Sequence, residues 1–424
     1  MQETEKKKVI IETLESQAEG KYYDEIGPVY VPKALPGEEI EGEIYFRRGK
    51  QRALRIEKII KASEDRVEAP CPHYARCGGC SLMHLTKNAY TNFKIDYLIK
   101  TLAQRGITLD KDIKGFWSKT GSRRRVSISY RHERPGMKLG FFAPHSDFLV
   151  NVDQCLLLTP RLNQLIDPLR KLLINIIPLR AEGFIHLTDT DGGVDLSWSP
   201  HQFKGKDLTN ELWQAWAQFA NEHNLSRVTR AAKELIIERQ KPFVHFSGTD
   251  IDFPPASFLQ PSKESEDAMI SKICSWIEQT KVQKSSKLVD LFCGLGTFSF
   301  PIAKYGALTS YDSDGPAVES LEKTVAGRWA IGKRDLFAEP MTSEELSTID
   351  IVLLDPPRAG AYEQALQLAD SNVPHIMMIS CDISTCARDL SVLINAGYHI
   401  EDAYLVDQFP YTSHIESMFW LKKN

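Results

Sequence analysis

The chain contains no run of eighteen consecutive apolar residues, so no segment reads as a bilayer-spanning helix. Its opening, MQETEKKKVIIETLE, has no apolar core of the kind a secretory leader needs, and a cytoplasmic protein without membrane attachment is expected. A strong excess of one charge is also missing. Net charge is −4 and the isoelectric point about 6.3, so bulk attraction does not bring nucleic acid to this surface. Any RNA or DNA must be met by a local patch. There is no internal repeat and no low-complexity tract, which argues against a repeat array or a long solvating tail. Cysteine is sparse and uneven: eight in 424 residues, three of them between Cys71 and Cys80. In a reducing compartment that scatter favours ligands or nucleophiles over a disulfide framework. What remains is an ordinary globular composition, 42% hydrophobic and 25% charged, long enough for roughly three domains.

Residues 7 to 66 alternate like short strands, with turns at Gly27-Pro28, Pro36-Gly37 and RRGKQR, and suggest a small OB-like β-barrel. After the cysteine cluster, KNAYTNFKIDYLIKTLAQRG reads as an amphipathic helix closed by Gly106. The stretch from Lys114 to Val150 carries eight Lys/Arg against two acids, with strand-like alternation at RVSISYRH and KLGFF. A basic strand face interleaved with aromatics suits RNA contact, although a solvated sheet face would look the same. From Asp252 onward strands and helices alternate, as KLVDLF, GALTSYD, IDIVLLD, HIMMISC and MFWLKK show. That rhythm predicts a mainly parallel sheet with helices on both faces.

The chemistry concentrates in this last part. In KLVDLFCGLGTFSF, a strand meets a turn whose Gly294 and Gly296 permit close backbone approach to a ligand. The next strand ends at Asp312, placed to accept ribose hydroxyls, with Asp314 as a rival. Asp335 falls at a plausible third strand end. A fourth strand ends in Asp355-Pro356-Pro357-Arg358, where the prolines hold the backbone out of helical geometry beside the ligand crevice. The bland alternative for Asp355 is an acid capping a turn. Cys381 closes the apolar run Ile376-Met377-Met378-Ile379 and opens a capped helix, so its thiol is either buried packing or a group at the active crevice.

Together VYVPKALPGEEIEGEI, CPHYARCGGCSLMHL, DLFCGLGTF, LLDPPRAGA, SCDISTCARDL and FPYTSHIESM resemble the RNA 5-methyluridine methyltransferase family over nearly the whole chain. Within it they are most similar to the TRAM-domain, iron–sulfur branch acting on bacterial 23S ribosomal RNA. The resemblance implies a Rossmann-like α/β methyltransferase domain at 251–424, an N-terminal TRAM barrel at 1–66, and a central α+β iron–sulfur domain with an RNA-contacting surface at 67–250. It implies that Cys381 is the nucleophile and Glu416 the base. It further implies that S-adenosylmethionine is held by Gln260, Phe292, Thr297, Asp312, Asp335 and Asp355. Thr297 and Asp312 stand where the family usually has asparagine and glutamate, and Ser262 stands where asparagine is frequent. Cys71, Cys77 and Cys80, completed by Cys155, match the family's [4Fe–4S] site. Spacing alone leaves zinc open, with four cysteines or with three and either His73 or His84. Cys386 reads as packing. The expected substrate is 23S ribosomal RNA, with the T-loop uridine of transfer RNA as the alternative, and a non-catalytic RNA-binding or assembly factor as the rival from another class. Nothing calls for an obligate dimer, so a monomer is expected.

Overall fold

In the first sixty residues, apolar side chains recur at every second position, and in this computed structural model they line one side of a six-stranded sheet. The structure describes residues 6–109, 112–201 and 209–423. The sheet order is Lys6–Ile10, Glu39–Phe46, Arg52–Lys61, Gly27–Pro32, Glu19–Asp24, Thr13–Leu14. Its core gathers Ile11, Tyr22, Val29, Val31, Ala34, Ile40 and Leu54. Gly42 is required there, because a Cβ would stand 2.2 Å from the Arg55 carbonyl oxygen of the paired strand. The expected helix after the cysteine cluster forms over Lys87–Ala103, and Gly106 ends that segment at φ +72°.

By compactness the chain divides into two units. The first is Met1–Tyr97 with Gly140–Val152 and Phe409–Ser413; the second is Leu98–Leu139 with Asp153–Gln408 and His414–Asn424. In the second unit, strands Arg125–Glu133, Glu182–Thr190 and Gly193–Pro200 run antiparallel, followed by Leu225–Arg230 and Glu234–Glu238. A buried pair, Arg227 Nε to Asp195 Oδ1 at 2.7 Å, crosslinks two of these strands.

The same unit holds the doubly wound sheet. Its order is Ala330–Lys333, Ala307–Asp312, Lys287–Leu291, Ile351–Leu354, His375–Ser380, Glu416–Lys423, Tyr398–Asp407, Lys114–Trp117. The first five are mutually parallel; Glu416–Lys423 is antiparallel to both neighbours. Order reverses beside Lys287–Leu291, which is where open α/β sheets bind ligands. Helices Lys263–Gln279, Gly315–Val325, Tyr362–Ala369 and Ile383–Asn395 cover the sheet. One core packs Trp276, Ile273, Leu288, Leu353, Met377, Ile379 and Trp420; a second packs Phe246, Phe253, Leu259, Leu295 and Leu321. Two strands of this sheet differ from expectation. Tyr398–Asp407 was not anticipated, and Lys114–Trp117, from the basic stretch, adds as a parallel edge. No helix among the described residues is long and apolar enough to cross a membrane.

Candidate active site

The turn after Lys287–Leu291 is built from residues at positive φ: Phe292 at +65°, Gly294 at +53° and Gly296 at +84°. A Cβ added at Gly294 would meet nothing within 4 Å, so that side of the turn is open, whereas at Gly296 it would stand 2.8 Å from the Leu321 side chain. Asp312, at the end of the neighbouring strand, accepts the Gly294 N–H at 2.8 Å through one oxygen and the Asp314 N–H at 2.8 Å through the other. Asp314 itself caps helix Gly315–Val325, accepting from Ala317 N–H at 3.4 Å. The two acids therefore have separate tasks, and Asp312 is the one at the turn. Thr297 is half-buried on the same turn. The Phe292 ring lies 5.5 Å from that of Phe337, which is 47% exposed.

Asp335 is exposed and lies beyond a strand that stops at Lys333, two residues earlier than its expected strand-end position. The chain leaves the sheet at Arg334, whose guanidinium is tied to Glu345 at 2.8 Å and to the Glu339 carbonyl at 2.7 Å. Asp335 then accepts the Phe337 N–H at 3.0 Å, which holds the backbone that carries the exposed ring.

Behind the turn the acids are starved of water. Asp290 is fully buried; Ser299 Oγ donates to one oxygen at 2.5 Å and the other has no partner among the described residues. Burial pushes its carboxyl up to about 8, with the charges of Asp355 and Asp312 adding. Burial, then the charge of Asp312, pushes Asp355 up to about 7. Gln260, 3% exposed, reaches Asp355 through Nε2 at 3.5 Å, and its Oε1 is buried without a partner. Such a set of acids and an unused acceptor fits a ligand that brings positive charge and hydrogen-bond donors.

Strand His375–Ser380 delivers Cys381 to the same end of the sheet. Asp382 then caps helix Ile383–Asn395, accepting from Ser384 N–H at 3.0 Å and Thr385 N–H at 3.2 Å. Ser380 pairs with Ser417 in the antiparallel register, and Ser417 Oγ donates to the Ser380 carbonyl at 3.3 Å. Cys381 and Glu416 therefore leave adjacent strands side by side. Burial, and then the charges of Glu416 and Asp355, push the Cys381 thiol up to about 12, while the Arg358 guanidinium pulls it down. Glu416, 3% exposed, is held well above the usual carboxylate range by burial and by Asp355. Gln408 Nε2 donates to it, and with Arg358 this opposes the shift. Burial thus works against charge on both the Cys381 thiol and the Glu416 carboxyl. Cys386 is fully buried and its thiol is raised by burial, as expected of a packing residue. Gln408 carries no sequence signal and was not anticipated.

The cysteine cluster lies in the first unit. Cys71, Cys77 and Cys80 are half-buried, not joined in disulfides, on a turn where Cys77 N–H donates to the His73 carbonyl at 2.8 Å and Gly79 N–H to Cys77 Sγ at 3.4 Å. Burial lowers the Lys33 ammonium, and the three thiols counteract that. His84 is engaged through Nδ1 with the Tyr74 hydroxyl at 2.6 Å. Cys155, in the second unit, is held by Asn163, which accepts its N–H at 2.9 Å and donates to its carbonyl at 2.8 Å. Among the described residues no three or more of His, Cys, Asp or Glu are gathered as a metal-ligand set. The donors have the right chemistry for iron–sulfur or zinc.

The profile of the tRNA (uracil-5-)-methyltransferase family matches residues 341–424. An uncharacterised RNA methyltransferase of Rhizobium meliloti (strain 1021) is 32% identical over 427 residues, covering 98% of this chain and 99% of the relative. The 23S rRNA (uracil(1939)-C(5))-methyltransferase RlmD of Halomonas elongata is 32% identical over 435 residues, covering 98% and 89%. This chain belongs to the RNA (uracil-C5)-methyltransferase family. Its fold is that of the Pyrococcus abyssi tRNA (uracil-54, C5)-methyltransferase solved with S-adenosyl-L-homocysteine. The TM-score is 0.74 at 21% identity, over 98% of this chain and 99% of that one. Family membership confirms the methyltransferase expectation, and the matched segment contains Asp355, Cys381 and Glu416.

Proposed function

We propose that this enzyme methylates C5 of a uridine in 23S ribosomal RNA through a covalent bond between Cys381 and C6 of the base. The observation that carries the reading is the side-by-side placement of Cys381 and Glu416 at the ends of paired strands. Uracil C5 is too weak a nucleophile to take a methyl group unaided. Addition of the Cys381 sulfur to C6 turns the C5=C6 electron pair into an enolate at C5, which can attack an electrophilic methyl. S-adenosylmethionine, when bound, supplies that methyl on a sulfonium. Glu416 then removes the C5 proton; the electrons of the C–H bond restore C5=C6 and expel the Cys381 thiolate. Glu416 has to be ionised for that step, and Gln408 and Arg358 are the groups that favour its charge. The target base must leave its stack to reach Cys381.

The residues assigned to the methyl donor are Gln260, Phe292, Thr297, Asp312, Asp335 and Asp355. The open side of Gly294, the raised acids and the unused Gln260 oxygen support this. We read 1–66 as a TRAM barrel, 67–250 as the central RNA-contacting domain, and 251–424 as the methyltransferase. Cys71, Cys77, Cys80 and Cys155 are assigned to a [4Fe–4S] cluster by their resemblance to the family's cluster cysteines, in a structural role; no step of methyl transfer runs through it. The T-loop uridine of transfer RNA remains the second reading, favoured by the name of the matching family profile.

The deciding assay supplies labelled S-adenosylmethionine to unmodified 23S RNA and, separately, to unmodified transfer RNA, and digests the products to nucleosides. Labelled 5-methyluridine from ribosomal RNA is expected. Label only from transfer RNA moves the substrate; none from either removes the reading. Glu416→Gln should accumulate a slow-migrating RNA adduct on denaturing gels, and Cys381→Ala should form none.

A further inference from the structure

Strands Tyr398–Asp407 and Glu416–Lys423 pair antiparallel with Val406 opposite Glu416, which brings the residue after Asp407 alongside the base. That residue is Gln408, 3% exposed, and its Nε2 donates to Glu416 Oε2. The bond fixes which way the amide faces. When Glu416 is ionised, as the base step requires, an oxygen on that side would set lone pairs against lone pairs, so nitrogen takes it. Oε1 is thereby turned away from Glu416, and it is buried with no partner among the described residues. A buried acceptor left unpaired loses its hydration and gains nothing in exchange. A methionine of similar length would avoid that loss. The charged and titratable groups acting on Glu416 are Asp355 and Arg358, with Cys381 beside it, and no hydrogen bond from any of them reaches Oε1.

A uracil in the site supplies what is missing. Its only ring N–H is at N3, and a single ring atom, C4, separates N3 from the C5 whose proton Glu416 takes. A side chain next to the base is therefore within reach of N3–H. We propose that Gln408 is a specificity-determining residue that bridges base and substrate, its Nε2 holding Glu416 and its Oε1 accepting N3–H of the uracil to be methylated. Cytosine offers the same C6 to a thiolate but carries a lone pair at N3, which Oε1 repels. Sites built to satisfy a substrate N–H reject analogues that lack it far more strongly than apolar pockets reject a missing methylene. The inference rests on the uracil-C5 reading above.

The test compares binding of the target RNA carrying uridine with the same RNA carrying cytidine at the target position, for the wild type and for Gln408→Met. The wild type is expected to bind the uridine RNA at least about tenfold more tightly, and the ratio to fall toward one in the variant. Loss of packing would weaken both RNAs alike and leave the ratio unchanged. An unchanged ratio, or a wild type that does not discriminate, overturns the role of Gln408. Trapping the wild type on RNA with 5-fluorouridine at the target reports the underlying reading separately. A trapped adduct with an unchanged ratio sinks the inference alone, and no adduct sinks both.

Discussion

At the scale of single residues, burial opposes charge on the groups to which the proposed mechanism assigns the chemistry. The Cys381 thiol, raised to about 12 by burial and by Glu416 and Asp355, is almost wholly protonated at neutral pH. In the proposed mechanism it is the thiolate that adds to C6. Single-turnover adduct formation should therefore climb with pH, close to tenfold per unit while the thiol titrates above the assay range, and Arg358→Gln should slow it at every pH. Flat single-turnover rates between pH 6 and 9 would show that something else sets the thiolate. Asp290 makes a stability prediction. Its ordinary value is 3.8 and burial raises it to about 8, so between those values the folded state binds the proton more tightly than the unfolded one. Stability contributed by the neutral acid is complete below about pH 4 and drains away as pH rises toward 8. Asp290→Asn should flatten that decline, as urea midpoints across the window would reveal. Cys381 and Asp355 could be located from sequence because each follows an apolar run that ends abruptly. Asp290 and Gln408 could not, since what matters about them is an oxygen left without a partner, which only tertiary packing creates.

At the scale of elements, strand and helix ends carry the site. Asp382 accepts two backbone N–H groups at the start of helix Ile383–Asn395, one residue after the proposed nucleophile Cys381. Asp382→Ala should cost about 1 kcal/mol by chemical denaturation and slow adduct formation by more than that loss explains, because the turn that aims Cys381 is loosened. The parallel strands were legible as short apolar runs bounded by glycine or acid. Tyr398–Asp407 was not. Six of its ten residues are only half-buried, its pairing slips between Ile400 and Asp402, and Asp402 is drawn to Lys272 at 2.7 Å and to the Trp276 indole at 3.0 Å. Those contacts interrupt the alternation that marks a strand. Asp335 was misplaced by two residues for a similar reason: the Arg334–Glu345 pair, eleven residues apart in sequence, decides where the preceding strand stops.

At the scale of the whole molecule, the four cysteines assigned to a cluster belong to two compact units, three to the first and Cys155 to the second. Protein purified without oxygen should contain about four irons and four acid-labile sulfides per chain, measured by elemental and sulfide analysis. One zinc in their place would make the site a zinc site, and Cys77→Ser should release whichever is bound. The N-terminal sheet and the α/β half were readable because each is written in local periodicity. The division into units was not, because short segments far apart in sequence, such as 140–152 and 409–413, join the first unit.

The strand bearing Glu416 is the last of its sheet in chain order, yet it lies inside the sheet, between His375–Ser380 and Tyr398–Asp407. During folding its place must stay open until that late segment arrives. Until then Ile376-Met377-Met378-Ile379 presents an unpaired apolar edge, the kind of edge that recruits strands from other chains. The strand that carries the proposed base is thus also the closing piece of the sheet. A chain interrupted before Glu416 would be inactive and would also be prone to aggregate, and pausing late in synthesis should be the stage at which this protein most needs a chaperone.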